Sequence, residues 1–128
     1  MIENKITGQV VDAAIEVHRT LGGPGLLESV LESVYEEALA WELDERGLQV
    51  ERQKTVPITY KGVKLASPLR IDLLVDNLVI VECKATTNYS PIFQAQLLTY
   101  LRLMNLRVGL VINFGEQYVK DGVYRVRN

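Results

Sequence analysis

The stretch Leu69-Arg70-Ile71-Asp72-Leu73-Leu74-Val75-Asp76-Asn77-Leu78-Val79-Ile80-Val81-Glu82-Cys83-Lys84 decides the fold of this 128-residue chain. Two β-rich runs, Leu69 to Val75 and Leu78 to Lys84, flank Asp76-Asn77, which is a hairpin signal. Asp72, Glu82 and Lys84 interrupt otherwise apolar strands. A charge in such a run is costly unless it is paired or binds an ion.

The register of this hairpin can be worked out on paper. A two-residue loop of Asp76-Asn77 pairs Val75 with Leu78 and Asp72 with Val81, which sends Asp72 and Glu82 to opposite faces. A three-residue loop, Val75-Asp76-Asn77, pairs Leu74 with Leu78 and Asp72 with Ile80. Arg70, Asp72, Ile80, Glu82 and Lys84 then share one face, and Ile71, Leu73, Val79, Val81 and Cys83 form a wholly apolar one. Asn77 at the last loop position suits a left-handed backbone. The three-residue loop separates the faces better and is the one expected. Two converging carboxylates repel unless a divalent cation lies between them, and oxygen ligands favour Mg²⁺ or Mn²⁺. A lysine two residues beyond Glu82 points the same way and suits a water or phosphate in a hydrolytic site. The same pattern also suits an interstrand salt-bridge cluster.

Upstream, Ile6, Val10, Ala13, Ala14, Val17 and Leu21 recur at helical spacing, predicting a helix over 6–21 that Gly22-Gly23-Pro24-Gly25 breaks. A second helix is expected over 26–46, with an apolar stripe of Leu27, Val30, Leu31, Val34, Ala38, Leu39, Trp41 and Leu43, and Gly47 as its stop. It contains a tandem repeat, Leu27-Glu28-Ser29-Val30 and Leu31-Glu32-Ser33-Val34, which adds roughly 6 Å of helix on nearly the same face. Strands are expected over 48–53, 56–60 and 63–65, with Lys61-Gly62 as a turn. Downstream, Ser90-Pro91 opens a helix to about Asn105. A buried strand follows over 107–114, then a small terminal hairpin over 118–126 around Asp121-Gly122. The order ααβββ(β)αβ is that of a mixed α/β protein.

With 48% hydrophobic and 23% charged residues, the composition is that of a globular chain with a real core. Prolines and glycines are scattered, so residues 1–128 are expected to form one domain. The net charge of -2 argues against wholesale basic coating but leaves room for a local positive groove. A single cysteine, Cys83, excludes an internal disulfide and fits a reducing compartment. With no targeting segment or apolar run of membrane-spanning length, a cytoplasmic location is expected.

Ile71-Asp72 followed by Glu82-Cys83-Lys84 resembles the D…ExK signature of PD-(D/E)XK nucleases. Ile15-Glu16-Val17-His18, Gly23-Pro24-Gly25-Leu26-Leu27-Glu28, Val34-Tyr35-Glu36-Glu37-Ala38-Leu39, Ala95-Gln96-Leu97-Leu98-Thr99-Tyr100-Leu101 and Gly109-Leu110-Val111-Ile112-Asn113-Phe114-Gly115 are similar to the small bacterial GxxExxY family of that superfamily. The resemblance implies helices packed on a central mixed sheet, Asp72 and Glu82 as metal ligands and Lys84 as the catalytic lysine. It also implies a helix glutamate. The family motif is split here, Gly25 to Glu28 keeping its first half and Glu32 to Tyr35 its second. Glu32 is favoured because everything after it resumes the family's register, Glu28 comes second, and the competing reading, which is the weaker one, leaves both on the helix surface.

Gln96 and Tyr100 share a helix face and resemble a Q-x-x-x-Y element that helps hold substrate or the active-site lysine. Solvent exposure of the glutamine, with the tyrosine at the core edge, is the competing reading. Arg52 and Arg70 are candidate phosphate contacts or partners for neighbouring carboxylates. His18 fits a cap or core edge, Cys83 a small buried hydrophobe, and Trp41 and the tyrosines the core. Three functions compete: a Mg²⁺- or Mn²⁺-dependent nuclease acting on DNA or RNA, a nuclease-fold module that binds nucleic acid without turnover, and an interaction protein, for instance a homodimer.

Overall fold

The computed structural model describes residues 1–22 and 28–128, with side chains of the second helix described from residue 32 onward. The expected break at Gly23-Pro24-Gly25, the helix start at Leu26-Leu27 and the side chains of Glu28, Val30 and Leu31 fall outside the described residues.

Helix α1 (Ile2–Leu21) buries Ile6, Val10, Ala13, Ala14 and Val17, the stripe its spacing predicts apart from Leu21, which is exposed at the helix end, and begins four residues earlier than expected. Helix α2 (Glu28–Glu45) ends where Gly47 turns left-handed at φ +84 and Leu48 N–H reaches back to the Leu43 carbonyl. Its buried face is only partly the expected one: Leu39 and Leu43 are buried as predicted. Tyr35, Glu36, Leu39, Ala40 and Leu43 point inward, while Val34 and Trp41 are 40% and 61% exposed. The reason is Tyr35, which stacks on Phe114 at 4.5 Å between centroids and donates its hydroxyl proton to the Gly22 carbonyl. That anchor rotates Trp41 to the outside.

The strands are β1 (Val50–Val56), β2 (Thr59–Tyr60), β3 (Val63–Lys64), β4 (Leu69–Val75), β5 (Val79–Lys84), β6 (Val108–Asn113) and β7 (Val123–Arg127), with helix α3 (Ile92–Met104) between β5 and β6. The sheet order is β1-β4-β5-β6-β7; β5 and β6 run parallel and the other neighbours antiparallel, so α3 is the crossover between the parallel pair. The expected break after Gln53 does not end a strand: β1 runs on to Val56, because β4 pairs with both of its halves. Strands β2 and β3 form a separate two-stranded hairpin. The expected terminal hairpin is absent. A 3-10 turn over Val119–Gly122 leads into β7, which pairs with β6, a longer partner already buried in the sheet.

Helices α1 and α2 cover one face, packing on Leu73, Val75, Val79, Val81, Cys83, Leu110 and Ile112. Helix α3 covers the other, where Leu97 and Leu101 meet Leu74, Ile80, Val111 and Val126. Ile71 joins this second cluster, against the expectation that it would share a face with Leu73. Strand β4 therefore changes its facing at Asp72. No described helix is long and apolar enough to cross a membrane.

Candidate active site

The register of β4 and β5 differs from the paper one. Leu73 pairs with Val81, Leu74 with Ile80 and Val75 with Val79. Asp76 and Asn77 are both left-handed, and Leu78 N–H closes on the Val75 carbonyl, leaving Leu78 as an extra residue before pairing begins. Asp76 is also tied to the chain entering β1, its N–H to the Gln49 carbonyl and its Oδ1 accepting Gln49 N–H, both at 2.8 Å. These bonds pin the turn one residue further along than expected. The two-residue shift keeps Leu73, Val79, Val81 and Cys83 on one face as predicted, though not Ile71, and brings Asp72 level with Glu82 instead of Ile80.

At that level the ladder stops. Asp72 N–H donates to Glu82 Oε2 at 3.0 Å, and Cys83 N–H donates to Asp72 Oδ2 at 2.8 Å. The two carboxylates thus take over hydrogen bonds that strand backbones would otherwise exchange. Strand β1 breaks its own ladder at the same place: Arg52 pairs with Leu73 and Lys54 with Ile71, but Gln53, opposite Asp72, is left-handed at φ +51. A non-glycine residue in that conformation inside a strand costs of order 1–3 kcal/mol and persists only where its surroundings hold it.

Its side chain shows what holds it. Gln53 Nε2 donates to both oxygens of Glu36, at 2.8 and 2.9 Å, and lies 3.4 Å from Asp72 Oδ1. Glu36 is 4% exposed and also faces the Arg52 guanidinium at 3.5 Å. Sequence reasoning missed both Glu36 and Gln53. Glu36 sits one helical turn after Glu32, a spacing that places both on one face of α2. That signal was available. Nothing local marked Gln53.

Burial and the adjacent Asp72 push the Glu82 carboxyl up to about 9. Burial, followed by Asp72, also raises Glu36, with Gln53 and Arg52 pulling back. Glu32 stays open to solvent as a residue, yet desolvation of its carboxyl raises it, Lys84 opposing and Asp72 and Glu36 reinforcing. Asp72, Glu82, Glu32, Glu36 and Lys84 therefore share one electrostatic neighbourhood. Tyr100 joins it from α3: burial raises its hydroxyl first, and Glu82 and Asp72 add to the shift. The Lys84 ammonium sits 4.6 Å above the Phe93 ring.

The other candidates fall elsewhere. Gln96 is exposed on α3; Gln94, two residues earlier, is the glutamine that accepts the Tyr89 hydroxyl. Arg52 is engaged with Glu36 and Glu37. Arg70 is exposed opposite Thr55, away from the expected shared face because β4 changes its facing at Asp72. His18 bonds the Phe114 carbonyl at 3.1 Å and packs beside the stacked Tyr35–Phe114 pair, 6.3 Å from each ring, a core-edge role. Cys83 is fully buried and its thiol is pushed well up by burial, as befits a small hydrophobe. Tyr60 and Tyr118, expected in the core, are 58% and 59% exposed.

Two adjacent carboxylates, one of them buried and pushed up first by that burial and then by its neighbour, have the oxygen-only chemistry a hard divalent cation takes. Among the described residues, no three His, Cys, Asp or Glu side chains already stand together as a ligand cage. The fit is that of two direct carboxylates with further carboxylates nearby.

A mixed sheet flanked by helices, with carboxylates and a lysine where two antiparallel strands part, defines the class of nuclease-like α/β proteins. The chain belongs to the PD-(D/E)XK nuclease superfamily, whose family model matches residues 4–126. Members of that superfamily typically use divalent metals. A solved structure titled "Crystal structure of SSO0001" shares the fold, with a TM-score of 0.59 at 17% identity over 78% of this chain. The match spans 52% of that protein's chain. No curated protein matches the sequence.

Proposed function

We propose that this chain is a single-domain, divalent-metal-dependent nuclease of the bacterial GxxExxY type, hydrolysing phosphodiester bonds in DNA or RNA. The direct Asp72–Glu82 contact at the end of the β4–β5 ladder carries this reading. Asp72 and Glu82 would hold Mg²⁺ or Mn²⁺, with Glu32, across from Lys84 on α2, completing the set. The ion supplies Lewis-acid stabilisation of phosphate charge and a more acidic water.

The protein's own groups do the rest. Cys83 N–H fixes one oxygen of Asp72, so the carboxylate presents a defined edge. Glu82, whose carboxyl is raised by burial and by the like charge of Asp72, would hold the cation as a carboxylate, so metal binding should be weaker at low pH. Lys84 reaches from its seat over Phe93 to orient the attacking water or to offset charge on the phosphate. Tyr100 and, on the outer part of α3, Gln96 would contact the substrate.

Titration calorimetry with Mn²⁺ together with a cleavage assay on labelled oligonucleotides tests this. The native protein should bind and cleave; Asp72→Asn should do neither, and Lys84→Met should keep the metal but lose about 10²-fold or more in rate. Absence of Mn²⁺ binding by native protein at millimolar concentration would remove the proposal. Nucleic-acid binding without cleavage would leave the non-catalytic module in its place.

A further inference from the structure

Strands β2 and β3 form an arm that the site does not explain. The hairpin stands outside the main sheet, with Thr59 opposite Lys64, Tyr60 opposite Val63 and a further bond from Leu65 N–H to the Ile58 carbonyl. Lys61 and Gly62 are left-handed at φ +49 and +80, which makes the turn tight. Directly opposed residues share a face, so Ile58, Tyr60, Val63 and Leu65 line one side. That side is open to solvent: Tyr60, Val63 and Leu65 are 58%, 60% and 41% exposed. An isolated two-stranded hairpin is marginally stable in water, and one with a bare apolar face invites a partner.

Charge identifies the partner. Residues 52–71 contain Arg52, Lys54, Lys61, Lys64 and Arg70 and no aspartate or glutamate, in a chain whose net charge is -2; Arg52 and Lys54 pair with Glu36, Glu37 and Glu51, so the arm's charge is that of Lys61, Lys64 and Arg70. The acidic residues concentrate elsewhere, notably along α2, whose sequence holds Glu28, Glu32, Glu36, Glu37, Glu42, Asp44 and Glu45 and no lysine or arginine. Lys61, Lys64 and Arg70 are all exposed, and Lys61 lies against the Tyr60 ring at 5.4 Å. A second copy docking arm to arm would bring like charges together. A polyanion would not. The arm is rooted at Val56 and Leu69, each three residues along its strand from Gln53 and Asp72. At about 3.3 Å per residue, its root is roughly 10 Å from the candidate metal ligands.

We propose that the β2–β3 hairpin is a nucleic-acid-gripping arm for single strands, with Tyr60 stacking on an unpaired base and Lys61 and Lys64 on the flanking phosphates. An exposed aromatic ring beside lysines offers what an unpaired base and its phosphates need, while bases in a duplex are already stacked. The inference rests on the nuclease reading only for the substrate's being nucleic acid.

The test is fluorescence anisotropy with an oligothymidine of about 20 nucleotides and the matching duplex, in EDTA so that no cleavage intrudes, over a series of salt concentrations. Native protein should prefer the single strand. Tyr60→Ala should weaken that binding about tenfold and Tyr60→Phe should restore it. Lys61→Gln/Lys64→Gln should reduce the slope of log affinity against log salt by about 1.4, the value for two single-strand phosphate contacts. All are exposed positions, and melting curves should confirm an unchanged fold. If native protein binds and cleaves nucleic acid while the arm variants match it, the arm proposal alone fails. If native protein binds neither oligonucleotide, the nuclease reading fails with it. Sedimentation showing that Tyr60→Ala dissolves a dimer without changing oligonucleotide binding would assign the arm to self-association and overturn the proposal.

Discussion

Replacing Glu82 by glutamine should make the metal-free protein more stable while destroying its metal site. Glu82 is 8% exposed, its Oε2 accepts Asp72 N–H at 3.0 Å, and burial with the neighbouring Asp72 lifts its carboxyl from 4.5 to about 9. The folded protein therefore keeps a proton that the unfolded chain releases. Between those two values the native state binds more protons than the unfolded state, so stability falls as pH rises across the window. The full contribution is present below about 4.5 and is spent above about 9. Each pH unit is worth at most about 1.4 kcal/mol, so at pH 7.5 the accumulated loss is on the order of 4 kcal/mol as a ceiling. Glutamine cannot ionise, keeps an oxygen for the Asp72 amide and offers Asp72 an N–H donor. Urea unfolding with chelator, from pH 5 to about 9, should show the native protein losing stability and Glu82→Gln losing much less, with a gain of roughly 2–4 kcal/mol at pH 7.5. The raised carboxyls of Glu32 and Glu36 leave some slope in both proteins. Excess Mn²⁺ should stabilise native protein at pH 7.5 and leave the variant unmoved. A native stability flat across the window, or a glutamine variant no more stable than native at pH 7.5, would refute the electrostatic account of this pair.

Gln53→Leu removes both amide bonds to Glu36 and the link to Asp72, and should weaken Mn²⁺ binding about tenfold by calorimetry. Gln53→Asn, which tolerates the left-handed backbone but is one methylene short, should fall with it; an unchanged isotherm in both would make the amide bridge incidental. Gly115→Ala should cost about 3 kcal/mol, because a Cβ there would meet the Thr86 carbonyl oxygen at 2.3 Å in backbone that Asn113 clamps on both sides. An unchanged melting temperature would show that this loop can shift at little cost.

What was legible in the sequence was what neighbours along the chain determine. Apolar patterning gave α1, β4, β5 and β6, and the Ser90-Pro91 start signal gave α3, to within a few residues, because side-chain spacing and helix starts are fixed by local geometry. The spacing of Asp72, Glu82 and Lys84 and the odd-even separation of their faces also follow from local geometry. Register does not: it was fixed by the Asp76–Gln49 bonds, which join segments far apart in sequence. The same holds for Gln53, whose strained backbone makes sense only beside Glu36 and Asp72, and for Trp41, turned outward because Tyr35 finds Phe114. The terminal strand chose β6 over a hairpin of its own for the same reason. Sequence thus determined the elements and the chemistry they carry, whereas tertiary packing decided which side chains meet, because burial and pairing depend on partners that local spacing cannot name.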